Sequence, residues 1–371
     1  TALFGKAGKT VEWNRSDPAC NALEPLFKSL PVNTILFARP AEPYRTCLEY
    51  LAKTASSGVI RPDDSETRMF LQDLPVAPGL DAVGLGQIFE NRKCAVIPEQ
   101  GIAARGTDIS EAYVNFSAAC FSGFVKFFSD ILQYSRTHDI DRQWTEAFSR
   151  ACSHLPEPAV FDEEELMKGP FENHQEAGRA IIEAGRKIIE MGLVNASFGN
   201  ISYRLDTSLY ISCSGSFLDE LDDALVCANL EDHSCEGGKP SSEFPVHVEI
   251  AKSTDFRAVI HGHPLFSVIM SMDCRVEGCD HEGSCHRDCP RQRLISGIPI
   301  VPGETGNGPF GLSKTVPPAV KRSKAAIVYG HGVFTCALED FNNALGRMIT
   351  IESLCRKIYF DRISSQIGDH Q

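Results

Sequence analysis

Three short segments hold most of the residues in this chain that could do chemistry: Lys239-Pro-Ser-Ser-Glu-Phe-Pro, His261-Gly-His263-Pro and Gly330-His331-Gly332. Together they supply three imidazoles and one carboxylate, the set that an open divalent-metal site uses to hold a cation and move a proton beside it. Residues 257–260 (Arg-Ala-Val-Ile) read as a short strand, in which positions i and i+2 project from one face, so His261 and His263 can converge on one ion. His331 ends a second apolar run, Ala325 to Tyr329, and the flanking glycines let the backbone carry its ring in closely. Three histidines leave a fourth position for water or substrate, which marks catalytic rather than structural metal.

The elements that must position these groups can be read from periodicity. Ala177, Ile181, Ala184 and Ile188 make one face of a helix that ends at Gly192. Strands follow near 201–204 and 209–212, a helix after Ser241 carries Glu243, and an amphipathic helix closes the chain from Phe341 to Tyr359. Between them lie Gly/Ser turns, whose amides and hydroxyls can surround an anion without a fixed cation.

The order Phe198-Gly-Asn-Ile-Ser, Cys213-Ser-Gly-Ser, Pro240-Ser-Ser-Glu, His261-Gly-His263, Gly330-His331-Gly332 resembles the class II aldolase/adducin family over about residues 172 to 362. That family includes fuculose- and rhamnulose-phosphate aldolases and ribulose-phosphate 4-epimerase. The resemblance implies an α/β fold, an α/β/α sandwich around a mostly antiparallel sheet, and usually a homo-oligomer with active sites between subunits. It makes His261, His263 and His331 ligands of Zn2+ or another divalent metal, and Glu243 the catalytic acid/base. Gly199, Asn200, Ser214, Gly215, Ser241 and Ser242 become the cradle for the phosphate of a small sugar-like substrate. The implied reaction cleaves or forms a carbon–carbon bond in a sugar phosphate through a metal-stabilised ene-diolate. One departure keeps other outcomes open: family aldolases place a tyrosine between the second and third histidines, and residues 264–328 contain none. An epimerase, dehydratase or decarboxylase on the same site, or a non-catalytic adducin-like scaffold, remain alternatives.

Composition bounds the partners. With 36 basic against 49 acidic residues the net charge is −13, which argues against nucleic acid and anionic membrane. The absence of a long apolar run gives the expectation of a cytoplasmic protein. Ten of the 14 cysteines are scattered, as suits free thiols in a reducing compartment. The other four, Cys274, Cys279, Cys285 and Cys289, with His281 and His286 between them, form a Cys-rich insert at 274–290 that could hold a second, structural Zn2+.

A weak internal repeat sets the domain organisation. Ile35-Leu-Phe-Ala-Arg-Pro aligns with Val259-Ile-His-Gly-His-Pro, and Ala95-Val-Ile-Pro-Glu-Gln-Gly with Ala326-Ile-Val-Tyr-Gly-His-Gly. Helical patterns follow both, with apolar positions 109, 112, 113 and 116 matching 341, 344, 345 and 348. Phe37, Arg39 and Gln100 then stand where His261, His263 and His331 stand. The expected division is 1–150, a degenerate partial copy without a metal site; 151–168, a Pro- and acid-rich linker with a boundary near 165; and 169–371, the catalytic domain. A chain with one live and one dead copy could assemble as a dimer with pseudo-fourfold arrangement, with Tyr44 or Tyr113 as substitutes for the missing tyrosine.

Overall fold

Apolar alternation builds two separate sheets, one in each half of the chain. The computed structural model describes residues 2–8, 10–136, 142–162, 165–276, 278–289, 291–303 and 308–368. Contacts divide it between Glu157 and Pro158.

The first unit opens with β1 (Leu3–Lys6), β2 (Glu12–Trp13), α1 (Ala19–Leu23), α2 (Leu26–Ser29), β3 (Thr34–Ala38) and α3 (Tyr44–Thr54). It continues through β4 (Val59–Ile60), α4 (Ser65–Leu71), β5 (Leu74–Pro75), α5 (Ala82–Asn91), β6 (Cys94–Ile97), β7 (Gly101–Gly106), α6 (Ile109–Tyr134) and α7 (Arg142–Ser153). Its main sheet has the order β2-β1-β3-β7-β6. Alternate residues Ile35, Ala95, Ile97 and Ala103 join Leu23, Leu26, Leu85 and Phe89 of the covering helices in one core.

The second unit runs α8 (His174–Glu190), β8 (Asn200–Leu205), β9 (Ser208–Ser212), β10 (Leu225–Asn229), β11 (Cys235–Glu236), α9 (Phe244–Ser253), β12 (Ala258–Gly262) and α10 (Leu265–Met272). Then come β13 (Arg293–Ile295), β14 (Ile298–Val301), α11 (Leu312–Ser323), β15 (Ala325–Val328), β16 (Gly332–Ala337) and α12 (Asn342–Gly368). The sheet order is β11-β10-β9-β8-β12-β16-β15-β14-β13, and β14–β15 is its single parallel pair among the described residues. On one face Val259, Ala326, Val328, Phe334 and Cys336 pack with Val246 and Ile250 of α9 and Val316, Ala319 and Val320 of α11. On the other, Gly262 lies against Ile188 of α8 and Met348 of α12. Helices on both faces of a mostly antiparallel sheet make the expected α/β/α sandwich.

Three expectations change. Helix α7 buries Trp144 and Ala151 and runs to Ser153, so residues 151–153 are helix rather than linker, and the units part at 157/158 instead of near 165. Helix α12 extends past Tyr359 to Gly368. In α6, Ile109 and Tyr113 are exposed, whereas Phe341, Ala344, Leu345 and Met348 are all buried. Beyond Ala112, α6 buries Asn115, Ala118, Ala119 and Ser122 and, further along, Phe121, Phe124, Phe127 and Phe128. Tyr44 packs within the first unit, its ring 5.7 Å from that of Phe124, and burial pushes its pKa up to about 12, so its hydroxyl stays protonated.

The two units nevertheless agree in register. Phe37 pairs with Ala103 across β3–β7 as His261 pairs with Phe334 across β12–β16. Val76 bridges Val96 in parallel as Ile300 pairs with Ile327 in parallel. Leu3 lies opposite Phe37 where Asn200 lies opposite His261.

Candidate active site

Antiparallel pairing gathers the sequence motifs at one edge of the second sheet. The start of β8, the ends of β9, β12 and β15 and the start of β16 all meet there, so Asn200, Ser212, His261 and Gly332 are neighbours. His261 and His263 occupy the end of β12 and the residue after it, and His331 sits in the turn between β15 and β16. Their side-chain nitrogens lie within 4.8 Å of one another, and all three residues are buried. Two glycines make this approach possible. Gly199 has φ +85°, and a Cβ there would stand 2.6 Å from the His261 carbonyl oxygen; one at Gly332 would stand 2.4 Å from the Gly262 oxygen and 2.8 Å from the His261 ring.

Glu243 caps α9 and faces the histidines, its Oε2 3.1 Å from His261 Nε2 and its Oε1 3.0 Å from His331 Nε2. Burial opposes its ionisation, but the imidazoles and the Asn200 amide outweigh burial and hold the carboxyl far below its usual range. Burial acts on the histidines in the other direction, pushing His261 down to about 4 and His263 well below its ordinary value. The site therefore presents His261 and His263 as neutral imidazoles beside an ionised carboxylate.

That donor set fits a divalent cation. His261 Nδ1 lies 3.1 Å from the Val333 carbonyl oxygen, an acceptor, so it carries the proton and Nε2 keeps its lone pair. The bare Nε2 is 3.1 Å from a carboxylate oxygen and 3.0 Å from His263 Nε2. A lone pair facing a carboxylate is unfavourable unless positive charge lies near both. Nitrogens about 3.3 Å apart are what tetrahedral zinc at ~2.0–2.1 Å requires.

Two bonds join the loops of the expected phosphate cradle: Ser214 N donates to Lys239 O at 2.9 Å, and Ser241 N donates to Ser212 O at 3.1 Å. Ser214, Gly215 and Ser242 are exposed, while Ser241 is buried and its Oγ accepts from Glu243 N at 3.3 Å. Asn200 departs from that assignment. Its side chain is committed elsewhere, with Nδ2 donating to Glu243 Oε2 at 2.9 Å and Oδ1 facing His247 Nε2 at 2.5 Å.

The ligand atoms of Cys274, Cys279, Cys285 and Cys289 are not gathered into one cluster in this arrangement. Among the described residues the three histidines are the one group of three or more His, Cys, Asp or Glu with converging ligand atoms. Cys285 Sγ donates to His281 O and Cys289 Sγ to Arg291 O, so the local turns turn these thiols toward backbone carbonyls. No disulfide joins any of these cysteines among the described residues.

Sequence reasoning missed two supports. His247 lies one turn after Glu243 on α9, and that i, i+4 spacing was the signal available. Glu352 of α12 accepts from Phe266 N, Ser267 N and Ser267 Oγ at 2.7–2.8 Å, clamping the start of α10 directly after His263-Pro264.

The second unit is thus an α/β sandwich with a buried centre of three histidines and one carboxylate. Residues 179–359, just under half of the chain, match the family model of the Class II Aldolase and Adducin N-terminal domain. The L-fuculose phosphate aldolase of Haemophilus influenzae is 26% identical over 195 residues, covering 49% of this chain and 82% of the relative. That of Escherichia coli is 26% identical over 166 residues, covering 43% and 71%. The crystal structure of L-fuculose-1-phosphate aldolase from Thermus thermophilus shows 26% identity with a TM-score of 0.42, covering 52% of this chain and 97% of that one. Among the described residues, no helix is long and apolar enough to cross a membrane.

Proposed function

We propose that the second unit is a divalent-metal-dependent lyase that cleaves or forms a carbon–carbon bond in a small phosphorylated sugar. The observation that carries this reading is the placement of both Glu243 oxygens within 3.1 Å of imidazole nitrogens in a buried three-histidine cluster. Zinc or another divalent ion on His261, His263 and His331 would supply Lewis acidity toward a substrate carbonyl. Glu243, held ionised, would take a proton from the substrate's carbon or hydroxyl and return it in the reverse direction. Ser214, Gly215, Ser241 and Ser242 would hold the phosphate with hydroxyls and turn amides, Gly199 would shape the neighbouring backbone, and burial of the histidines would limit water at the reacting carbon. Cleavage would release a three-carbon phosphate and an aldehyde.

The first unit is, on the same reading, a degenerate copy without the metal site. Its support is the shared register together with Phe37, Arg39 and Gln100 at the three ligand positions.

The test is release of the three-carbon phosphate from L-fuculose 1-phosphate and a panel of related sugar phosphates, before and after chelation and with zinc restored. Metal-dependent release supports the reading. Metal-loaded protein inert toward the whole panel, or a rate indifferent to chelation, rejects it.

A further inference from the structure

A second polar assembly lies behind the site, and only its last member, Glu243, takes part in the reaction as proposed. Asn200 and Ser202 occupy positions i and i+2 of β8, so both point to one face of the sheet. Glu243 and His247 are separated by four residues at the start of α9, so they lie on one side of the helix. The two spacings match, about 6.6 Å along a strand and about 6 Å along a helix. The side chains therefore interdigitate in the order Ser202, His247, Asn200, Glu243, with contacts of 2.6 Å from Ser202 Oγ to His247 Nδ1, 2.5 Å from His247 Nε2 to Asn200 Oδ1, and 2.9 Å from Asn200 Nδ2 to Glu243 Oε2. Ser202 and His247 are fully buried.

Chemistry fixes the direction of this chain. An ionised carboxylate only accepts, so the Asn200 amide must turn its NH2 to Glu243 and its oxygen to His247. His247 Nε2 must then carry the ring proton, and bare Nδ1 accepts from the Ser202 hydroxyl. Every bond donates toward Glu243, and bonds aligned this way polarise one another in a low-dielectric interior. Neutral His247 is what the arrangement needs, and burial, pushing its pKa down to about 3, keeps it so.

We infer that His247 is a positioning residue: with Ser202 behind it, it locks the Asn200 amide in the one orientation that donates to Glu243, and so fixes the carboxylate between His261 and His331. This inference rests on the proposed function for its kinetic consequence but not for its structural one. Without the ring donor the Asn200 amide is free to turn its oxygen to Glu243, an acceptor against an acceptor, and the carboxylate loses its aim.

The experiment uses the full chain with selectively 15N-labelled histidine, and compares it with His247→Gln and His247→Leu. Glutamine can still donate to Asn200 and accept from Ser202; leucine can do neither. The His247 ring, assigned by the signals lost in His247→Gln, should show Nε2 protonated and Nδ1 bare at neutral pH, with or without zinc. With L-fuculose 1-phosphate as probe, His247→Leu should lower kcat by about 10–100-fold, the usual cost of losing a residue that orients metal-site groups. Its KM and bound zinc should be little changed, and His247→Gln should recover most of the rate. A proton on Nδ1, a wild-type kcat in His247→Leu, or an equal loss in the leucine and glutamine variants overturns the inference. If His247→Leu does not fold, the tautomer and the glutamine variant still decide it. Should the probe not be cleaved by the wild type, the functional reading fails while the tautomer measurement stands as its own test.

Discussion

The two units differ most where their backbones agree best. At matched register the first has Leu3 opposite Phe37 and the second has Asn200 opposite His261; one pair is apolar, the other links an imidazole of the three-histidine cluster to a carboxylate network. Yet the hairpin glycine persists in both. A Cβ at Gly101 would stand 2.4 Å from the Ala38 oxygen, just as one at Gly332 would stand 2.4 Å from the Gly262 oxygen. The residue before the preceding turn position also keeps a left-handed backbone in both, Glu99 at φ +63° and Gly330 at φ +58°. Gly332 thus serves the crossing of two strands first and the imidazoles second.

The largest expected effect breaks the chemistry alone. Glu243→Gln should lower kcat by about 10²–10⁴-fold, the range of general acid–base catalysis, with bound metal retained. Steady-state kinetics and elemental analysis check it; near wild-type turnover removes Glu243 from the proton-transfer role.

The second prediction concerns fold rather than chemistry. Gly101→Ala and Gly332→Ala should each destabilise their own unit by about 1–3 kcal/mol, the cost of overpacking, as read by denaturant unfolding. A tolerated Gly101→Ala would show that the glycine is not a backbone requirement shared by the two units.

A third prediction sharpens the comparison by rebuilding what is missing. Because the register is common, Phe37→His, Arg39→His and Gln100→His together should bring three imidazoles into reach of one ion and add a second equivalent of zinc. This site should be weaker than the first, since Leu3 stands at the register position that Asn200 holds in the second unit. Metal content unchanged by the triple substitution contradicts the shared geometry.

The smallest effect is in pH dependence, and its sign differs between the units. His261 and His247 titrate near 4 and 3 in the fold and near 6.5 when unfolded, so the unfolded chain takes up their protons first. Their contribution to metal-free stability is complete above about pH 6.5 and is lost as pH falls toward 4. Glu352, raised by burial, offsets part of this. In the first unit the notable buried group is Asp64, which burial raises to about 6, so its contribution grows as pH falls. Hydrogen exchange between pH 7 and 5 should show loosening in the second unit without a matching loss in the first.

Much of this was legible in the sequence because the informative residues are local signals. His-x-His on a strand, glycines around His331 and the 177–188 helical stripe each declare their geometry through period alone, and the structure places them as expected. The Asn200 side chain and His247 were not legible in that way: their roles depend on a strand and a helix crossing at matched pitch, which no single window of sequence contains. The cysteine insert stands apart for the opposite reason. Its composition suggested ligands, but metal binding depends on where side chains point, and short turns direct Cys285 and Cys289 to nearby carbonyls. In α6 the same apolar spacing as α12 leaves Ile109 and Tyr113 exposed and buries Asn115, Ala119, Phe124 and Phe128, because the neighbours a helix packs against, and not its period alone, decide which residues are covered.

The central claim is that metal-dependent chemistry resides in the second unit and that the first has lost it. Metal content of the full chain, purified without added metal and then equilibrated with zinc, tests this most directly when wild type and His263→Ala are measured side by side. One equivalent per wild-type chain and none in His263→Ala is the predicted result. Two equivalents in the wild type, or one that survives His263→Ala, would contradict it.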